Sequence, residues 1–525
     1  MKVKKIIIVG GGTAGWLSAG FLSSQLPGVD ITVIASDQQP IIGVGESTVP
    51  QFRNHMAKMG LTESDWMRHS GSTFKYGVEF NNWRTGSDTR WHGFGDFVTE
   101  KGISRSIDEY GKQISMTKND TVLLADYWIN LVQTGTIGED EYYKYASDTY
   151  WLAQNHRAHA DLNGHQYTSR VPGYAYHMNA WKVGETIKNL VAIPNGVTLL
   201  EKHIAQVKFN DNEEVVGLVD SNGDTHIADL YIDCTGFRRL LIGPSTKWIS
   251  FRDRLPVNRA IGGRVYYEND QEKLCHPYTK ATALSTGWSW NIGLRDDIGT
   301  GYVYDSRFIS DAQAESEFQD HWAKQGKAVD VKVRLKLDNG ILDRSAHRNV
   351  IACGLSANFL EPLEATSISF TTLINELVVA VLHKHDGHWD YKNVDIINRL
   401  MHREIKYTSD FLYAHYSLSQ RTDTEFWREM GRNRDSAINM CHDWFIHQID
   451  IYRREKDFEH TRYNKYDWAQ MITSMRIFKD CPTRVINPAL LTRAKIFYDY
   501  RDQMAQEVLK LVPTHWQLIK HINQD

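Results

Sequence analysis

The stretch Ile6-Ile7-Ile8-Val9-Gly10-Gly11-Gly12-Thr13-Ala14-Gly15-Trp16 decides the fold. Four β-branched apolar residues in a row read as a strand buried on both faces, the mark of a parallel sheet. Gly10-x-Gly12-x-x-Gly15 follows, and Ala14 to Gln25 then carry helical spacing through Trp16, Leu17, Phe21 and Leu22. Strand, glycine spacing and helix in that order form a dinucleotide-binding turn. The first glycine permits the tight bend and the second lets backbone N–H groups approach pyrophosphate oxygens. The third packs helix on strand, and the helix N-terminus faces the negative charge. The bland alternative is a strand-to-helix turn that binds nothing.

Outward from this turn, Ile31-Thr32-Val33-Ile34 is a second strand that completes a βαβ start. A nucleotide ribose usually meets an acidic residue at that strand's end. Here Ala35-Ser36 stand there with Asp37 next, and Ser36 is the candidate contact. Asp229 to Gly236 and Asn349 to Gly354 are further strands running into small-residue turns. After about residue 371 the chain turns helical. Met401, Ile405, Thr408 and Leu412 share one helix face, and Phe497, Met504, Val508 and Leu511 share another. Pro513 ends that last long helix and Thr514 caps a short terminal one.

With 525 residues the chain has length for about two to four domain-sized units. A net charge of −4 without basic runs gives no footprint for nucleic acid. The five cysteines are scattered, so neither a disulfide framework nor a zinc site is expected. No stretch approaches the ~20 apolar residues that span a bilayer. A soluble protein of the reducing cytoplasm is expected.

Three further segments carry chemistry. Phe74, Tyr76, Val78 and Phe80 alternate as one strand, with Lys75 on the opposite face. Taken alone, such a lysine is a solvated edge charge. Phe359-Leu360-Glu361-Pro362-Leu363-Glu364-Ala365-Thr366-Ser367-Ile368 places two carboxylates just before a helix, where either could act as a cap. Trp288-Ser289-Trp290-Asn291-Ile292-Gly293 sets two indoles on one strand face. His156-x-x-His159 and His383, His385 and His388 lack zinc spacing and read as structural.

Taken together, the glycine turn, Gly43-Val44-Gly45-Glu46-Ser47-Thr48, Lys75, the tryptophan pair and the Glu364 segment resemble the flavin-dependent halogenases, in their tryptophan-halogenase branch. The resemblance covers roughly residues 1–430. It implies an α/β fold: a Rossmann-like, GR2-type monooxygenase-like FAD domain under a mostly helical substrate lid. The FAD domain would be discontinuous, 1–85 with 165–370, and the lid would comprise 86–164 and 371–525. FAD would lie on Gly10, Gly12, Thr13, Ala14, Gly15, Ser36, Val44, Ser47, Ile204, Asp233, Leu355 and Ile368. Halide would sit on the backbone amides of Thr366 and Ser367. Lys75 and Glu364 would be catalytic, and Glu361 would keep the capping role. Trp288 and Trp290 would line a tunnel between flavin and substrate, with His92 and Phe94 stacking on the aromatic ring.

The implied chemistry joins FADH2, O2 and halide to make hypohalous acid, which the lysine amine aims at one ring carbon. No second Rossmann loop is present, so a separate NAD(P)H-dependent flavin reductase is the expected partner. A small aromatic substrate is expected, and nucleic acid and membrane are not; a homo-oligomer is left open. The family's serine after the glutamate is Ala365 here, its glycine after the threonine is Ser367, and its proline after the tryptophan pair is Gly293. The smaller residues at 365 and 293 suggest room for bromide or iodide. The amino-acid clamp expected near Tyr463 to Met475 is absent, which disfavours free tryptophan. A flavin aromatic hydroxylase and a non-catalytic flavin-binding protein are the competing readings.

Overall fold

A computed structural model describes residues 2–36, 45–94, 124–139, 142–146, 148–165, 173–454, 463, 465–483, 503 and 505–524. Lys5–Val9 lies inside a six-stranded sheet ordered Ala346–His347, Val350–Ala352, Leu230–Asp233, Lys5–Val9, Asp30–Ala35, Thr198–Glu201. All its pairings are parallel except that of Ala346–His347 with Val350–Ala352. Strands expected from four separate segments thus share one sheet. Ile6, Ile8, Val33 and Ile232 on one face and Ile7, Val9, Ile34 and Tyr231 on the other are almost wholly buried, as a sheet covered on both faces requires. Helix α1 (Thr13–Gln25) makes the first crossover.

A second sheet of seven strands runs Asp330–Lys336, Arg259–Tyr266, Asp297–Tyr304, Gly287–Gly293, Thr279–Ala283, Gly77–Asn81, Thr89–Gly93. Here the structure corrects two expectations. Phe74 to Phe80 is not one strand. Tyr76 donates its N–H to Pro277 O at 2.8 Å, and the chain changes sheets there. Thr73–Lys75 pairs with Ala175–Met178 in a small third sheet, while Gly77–Asn81 joins the large one. Both faces are buried, so alternation could not mark solvent. The helical region set at 86–164 also opens with a strand, Thr89–Gly93, which pairs with Gly77–Asn81.

Four more helices matter for the site: α2 (Thr366–Lys384), α3 (Tyr391–Ser417), α4 (Lys465–Ser474) and α5 (His515–Ile522). Contrary to expectation, α2 is long and apolar enough to cross a membrane, but 72% of that apolar window is buried inside the protein. In α3, Met401, Ile405, Thr408 and Leu412 are buried together, as their spacing predicts. Thr514 caps α5 in a reciprocal box with Gln517. Of the other expected face, Phe497 and Met504 lie outside the described residues, and Leu511 is 57% exposed. The five cysteines are free thiols.

Candidate active site

The glycine turn is closed on two sides and open on the third. A Cβ on Gly10 would lie 2.2 Å from Cys234 O, and one on Gly15 would lie 1.9 Å from Gly10 O. One on Gly12 would meet nothing within 4 Å. Gly10 also holds φ at +117°, which an L side chain rarely adopts. Gly12 is the N-cap of α1 and offers no side-chain cap, so the first N–H groups stay available to an anion. Thr13 steadies the turn by donating its hydroxyl to Ala180 O at 3.0 Å. These features fit a dinucleotide pyrophosphate.

The other expected flavin residues gather around this turn. A Cβ on Gly354 would press on Ala14 at 2.7 Å, so the turn carrying Leu355 abuts the glycine loop. Lys202 N donates to Ala35 O at 2.9 Å, bringing Ile204 toward the strand end where Ser36 sits. The Asp233 carboxylate accepts from Thr235, Leu241, Ile242 and Ser356, all within 3.1 Å, and so knots the adjoining loops. Val44 lies outside the described residues.

Helix α2 runs beside α1 in the same direction. Ser18 donates to Asn375 at 2.8 Å, and Ala14 approaches Gly354 next to Thr371, at the same sequence offset. The start of α2 therefore projects about one turn beyond that of α1. Its N-cap, Ala365, supplies no side-chain cap and is held in the left-handed region at φ 58°, ψ 45°. That conformation costs an L residue roughly 1–2 kcal/mol. It turns the chain so that Glu364 points into the interior and the Thr366 and Ser367 amides begin the helix. Two uncapped helix N-termini thus lie side by side, with Ile368 buried in the first turn of α2.

Lys75 is 1% exposed, which overturns the edge-charge reading. Its Nζ donates to Ser47 Oγ at 3.3 Å and Thr48 O at 3.2 Å, and lies 5.2 Å from the centre of the Phe94 ring. Burial pushes the ammonium down to about 8, against the pull of the Glu364 carboxylate. The structure therefore places the amine within electrostatic reach of Glu364, from the far side of the sequence.

Glu364 is itself buried. His92 Nδ1 donates to its Oε1 at 2.9 Å, and His92 Nε2 donates to Asp467 Oδ1 at 3.2 Å. Burial would lower the imidazole pKa, but Glu364 and Asp467 overcome it and raise it to about 9. His92 is thus an imidazolium between two carboxylates. Burial likewise favours neutral Glu364, and the His92 charge and hydrogen bond outweigh it, holding the carboxyl well below its usual range. His415 Nε2 lies 3.2 Å from the same oxygen, off the line a hydrogen bond needs. Burial and the neighbouring Arg90 charge press His415 down to about 3, so it stays neutral. Its Nδ1 faces the Arg90 guanidinium.

The expected cap at Glu361 is a correction. Its side chain does not reach the helix start. Glu361 Oε2 accepts from Trp288 Nε1 at 2.7 Å and from the Tyr416 hydroxyl at 2.5 Å. Burial raises this carboxyl to about 7. Glu361 therefore fixes the first indole of the tryptophan pair. The second, Trp290, seats its ring over Gly301, where a Cβ would come within 2.1 Å of it. The two ring centres are 6.0 Å apart on one strand face, as expected. Gly293 does not open space, because its Cβ would press on the Cys275 backbone at 3.0 Å.

Sequence reasoning missed Asp467, His415, Arg90 and Tyr416. Arg90 stands two residues before His92 on the same strand, so the shared face was readable. His415 continues the buried face of α3 one turn after Phe411, an odd polar residue on an apolar stripe. Asp467 carries no local signal. Among the described residues no group of three or more His, Cys, Asp or Glu could hold a metal ion. His156 instead meets His276 at 3.1 Å.

The profile of the tryptophan halogenase family matches residues 5–488. The chain belongs to the tryptophan halogenase family. The tryptophan 7-halogenase of Lentzea aerocolonigenes is 31% identical over 463 residues, covering 86% of this chain and 82% of that protein. The tryptophan 6-halogenase of Streptomyces albogriseolus is 31% identical, covering 81% and 78%. Among solved structures, a tryptophan halogenase from Shewanella frigidimarina superposes with a TM-score of 0.84 at 25% identity, over 100% of this chain and 98% of that one. A flavin-dependent halogenase from Brevundimonas sp. BAL3 gives 0.80 at 25% identity over 99% of each. The chain is accordingly a flavin-dependent halogenase with the α/β fold of that family.

Proposed function

We propose that this halogenase transfers halogen to an electron-rich indole or phenol through Lys75 and Glu364. The observation that carries the reading is the buried Lys75 amine within electrostatic reach of Glu364, beside an uncapped helix end. The glycine turn and the start of α2 would hold FAD and a halide. Bound as FADH2, the cofactor supplies with O2 the oxidising power that converts halide to hypohalous acid. Trp288, pinned by Glu361, and Trp290, seated over Gly301, wall the flavin side from the substrate side. Hypohalous acid then reaches the Lys75 amine, which orients it by hydrogen bonding or holds its halogen as a haloamine. His92 and Phe94 offer the stacking surface, and an imidazolium suits an electron-rich ring face.

Glu364 steadies the cationic ring formed when halogen adds to carbon. Such a ring is strongly acidic, so even a carboxylate of depressed basicity accepts its proton. The His92–Asp467 pair extends from Glu364 toward the surface, since Asp467 is 18% exposed against 7% for His92 and 3% for Glu364. Removing the Asp467 charge removes one of the groups that raise His92. Asp467→Asn is expected to move the alkaline limb of the rate–pH profile down by roughly one unit, while FAD affinity is unchanged. An unmoved profile would rule out coupling through His92.

A separate flavin reductase completes the system, because no second nucleotide loop is evident for NAD(P)H. With NADH and FAD but no reductase, the pure protein is expected to oxidise no NADH above the protein-free blank. Measured NADH consumption at 340 nm would overturn this.

Ala365 leaves the halide side of α2 less filled than a serine would, and bromide and iodide yield electrons more readily than chloride. Turnover with either is expected to equal or exceed that with chloride on the same indole, and several indoles and phenols are expected to react. Initial rates with each halide and each acceptor test this. Strict chloride preference, with action on free tryptophan alone, would contradict it.

A further inference from the structure

Beside the active site lies a chamber of about 30 Å3 lined by Arg84, Arg90, Trp128, Glu139, Thr473 and Arg476, among others. That is about twice the space one water needs. Its lining is over-supplied with donors. Arg90 Nε, Arg84 Nε and Trp128 Nε1 are all buried without a hydrogen-bond partner. Arg90 is 2% exposed and Trp128 is 1% exposed, so neither group faces bulk solvent. A buried donor left unmade costs about 1–3 kcal/mol, and more when charged. The three residues that carry these donors line one small chamber, where an acceptor would satisfy them.

The charges agree. Among the described residues, three guanidinium groups line the chamber against one carboxylate, Glu139, which already pairs with Arg476 at 3.4 Å. Asp88, whose charge also acts on Arg84 and Arg90, spends its oxygens on the backbone N–H groups of Arg84 and Thr85. The chamber also adjoins the chemistry. Arg90 shares a strand face with His92 and contacts His415, whose other nitrogen lies 3.2 Å from Glu364.

We propose that this chamber is an anion subsite of the active site, built for one small monovalent anion. The anion is either the carboxylate of an acid-bearing aromatic substrate or a free halide ion. A guanidinium and an indole N–H suit both, and the volume excludes larger anions. The proposal rests on the active-site placement above, but its test reads binding and not turnover, so failed halogenation and a failed subsite are separable.

Wild-type crystals soaked in sodium bromide would be examined by anomalous diffraction. In parallel, indole-3-acetate and its methyl ester would be titrated calorimetrically into the wild type, Arg84→Met and Trp128→Phe. A carboxylate subsite predicts that the acid loses ten-fold or more in affinity in both variants while the ester is unchanged. A halide subsite predicts a bromide peak in the chamber that Trp128→Phe weakens, with the acid-to-ester ratio constant. No bromide peak together with equal wild-type affinity for the acid and its ester would overturn the proposal, and both of those readings come from the wild type, so they decide even if a variant fails to fold.

Discussion

Lys75→Ala is expected to cut halogenated product by about three orders of magnitude or more, the scale of losing an orienting group together with its proton chemistry. FAD binding and oxidation of FADH2 by O2 are expected to persist. Lys75 touches Ser47 and Thr48 of the loop beyond the glycine turn, but none of the glycine turn itself. In a hypohalous-acid route the amine acts after the oxidant has formed. The variant should therefore release hypohalous acid that a diffusible dione captures. Lys75→Met, which keeps the buried stem, should behave alike and separates chemistry from packing. Retained product at unchanged ring position in either variant would remove Lys75 from the reaction.

Glu364→Gln is expected to slow turnover by roughly two or more orders of magnitude, with substrate affinity little changed. Gln keeps the size and can still accept from His92, so the fold is preserved. What disappears is a negative charge that sits among Lys75, His92 and His415. Without it the cationic ring loses its nearest counter-charge, and His92 loses the partner that most raises its pKa. The loss should appear in kcat more than in KM, because the interaction strengthens only as the ring becomes cationic. Near-native kcat would leave Glu364 a structural anion for His92.

Much of this was legible in the sequence because the informative residues are constrained by local geometry. Gly10 and Gly15 have no space for a Cβ and Gly12 has only open space before it, so the spacing alone announced a nucleotide turn. The first strands and α1 followed from β-branched runs and helical period. The Lys75 strand was misjudged because both of its faces are buried, which erases the contrast that period-two reasoning uses. Glu361 was misassigned because a carboxylate before a helix fits a cap equally well on paper. Its real partners, Trp288 and Tyr416, lie 73 and 55 residues away. Asp467 entered the site only through tertiary packing. Gln470 on α4 bonds Gly93 at 3.0 Å and 3.2 Å, stapling that helix to the strand that carries both Arg90 and His92.

Mass spectrometry of a single turnover is the most direct test of halogen transfer at this site. FAD reduced chemically under anaerobic conditions would be mixed with the wild-type protein, bromide, an indole and air-saturated buffer. Halogenation through Lys75 and Glu364 predicts a product carrying the paired isotope pattern of bromine on one ring carbon, absent when bromide is omitted. A product that gains oxygen regardless of halide would instead make the protein a hydroxylase, and no product at all would leave only a flavin-binding protein.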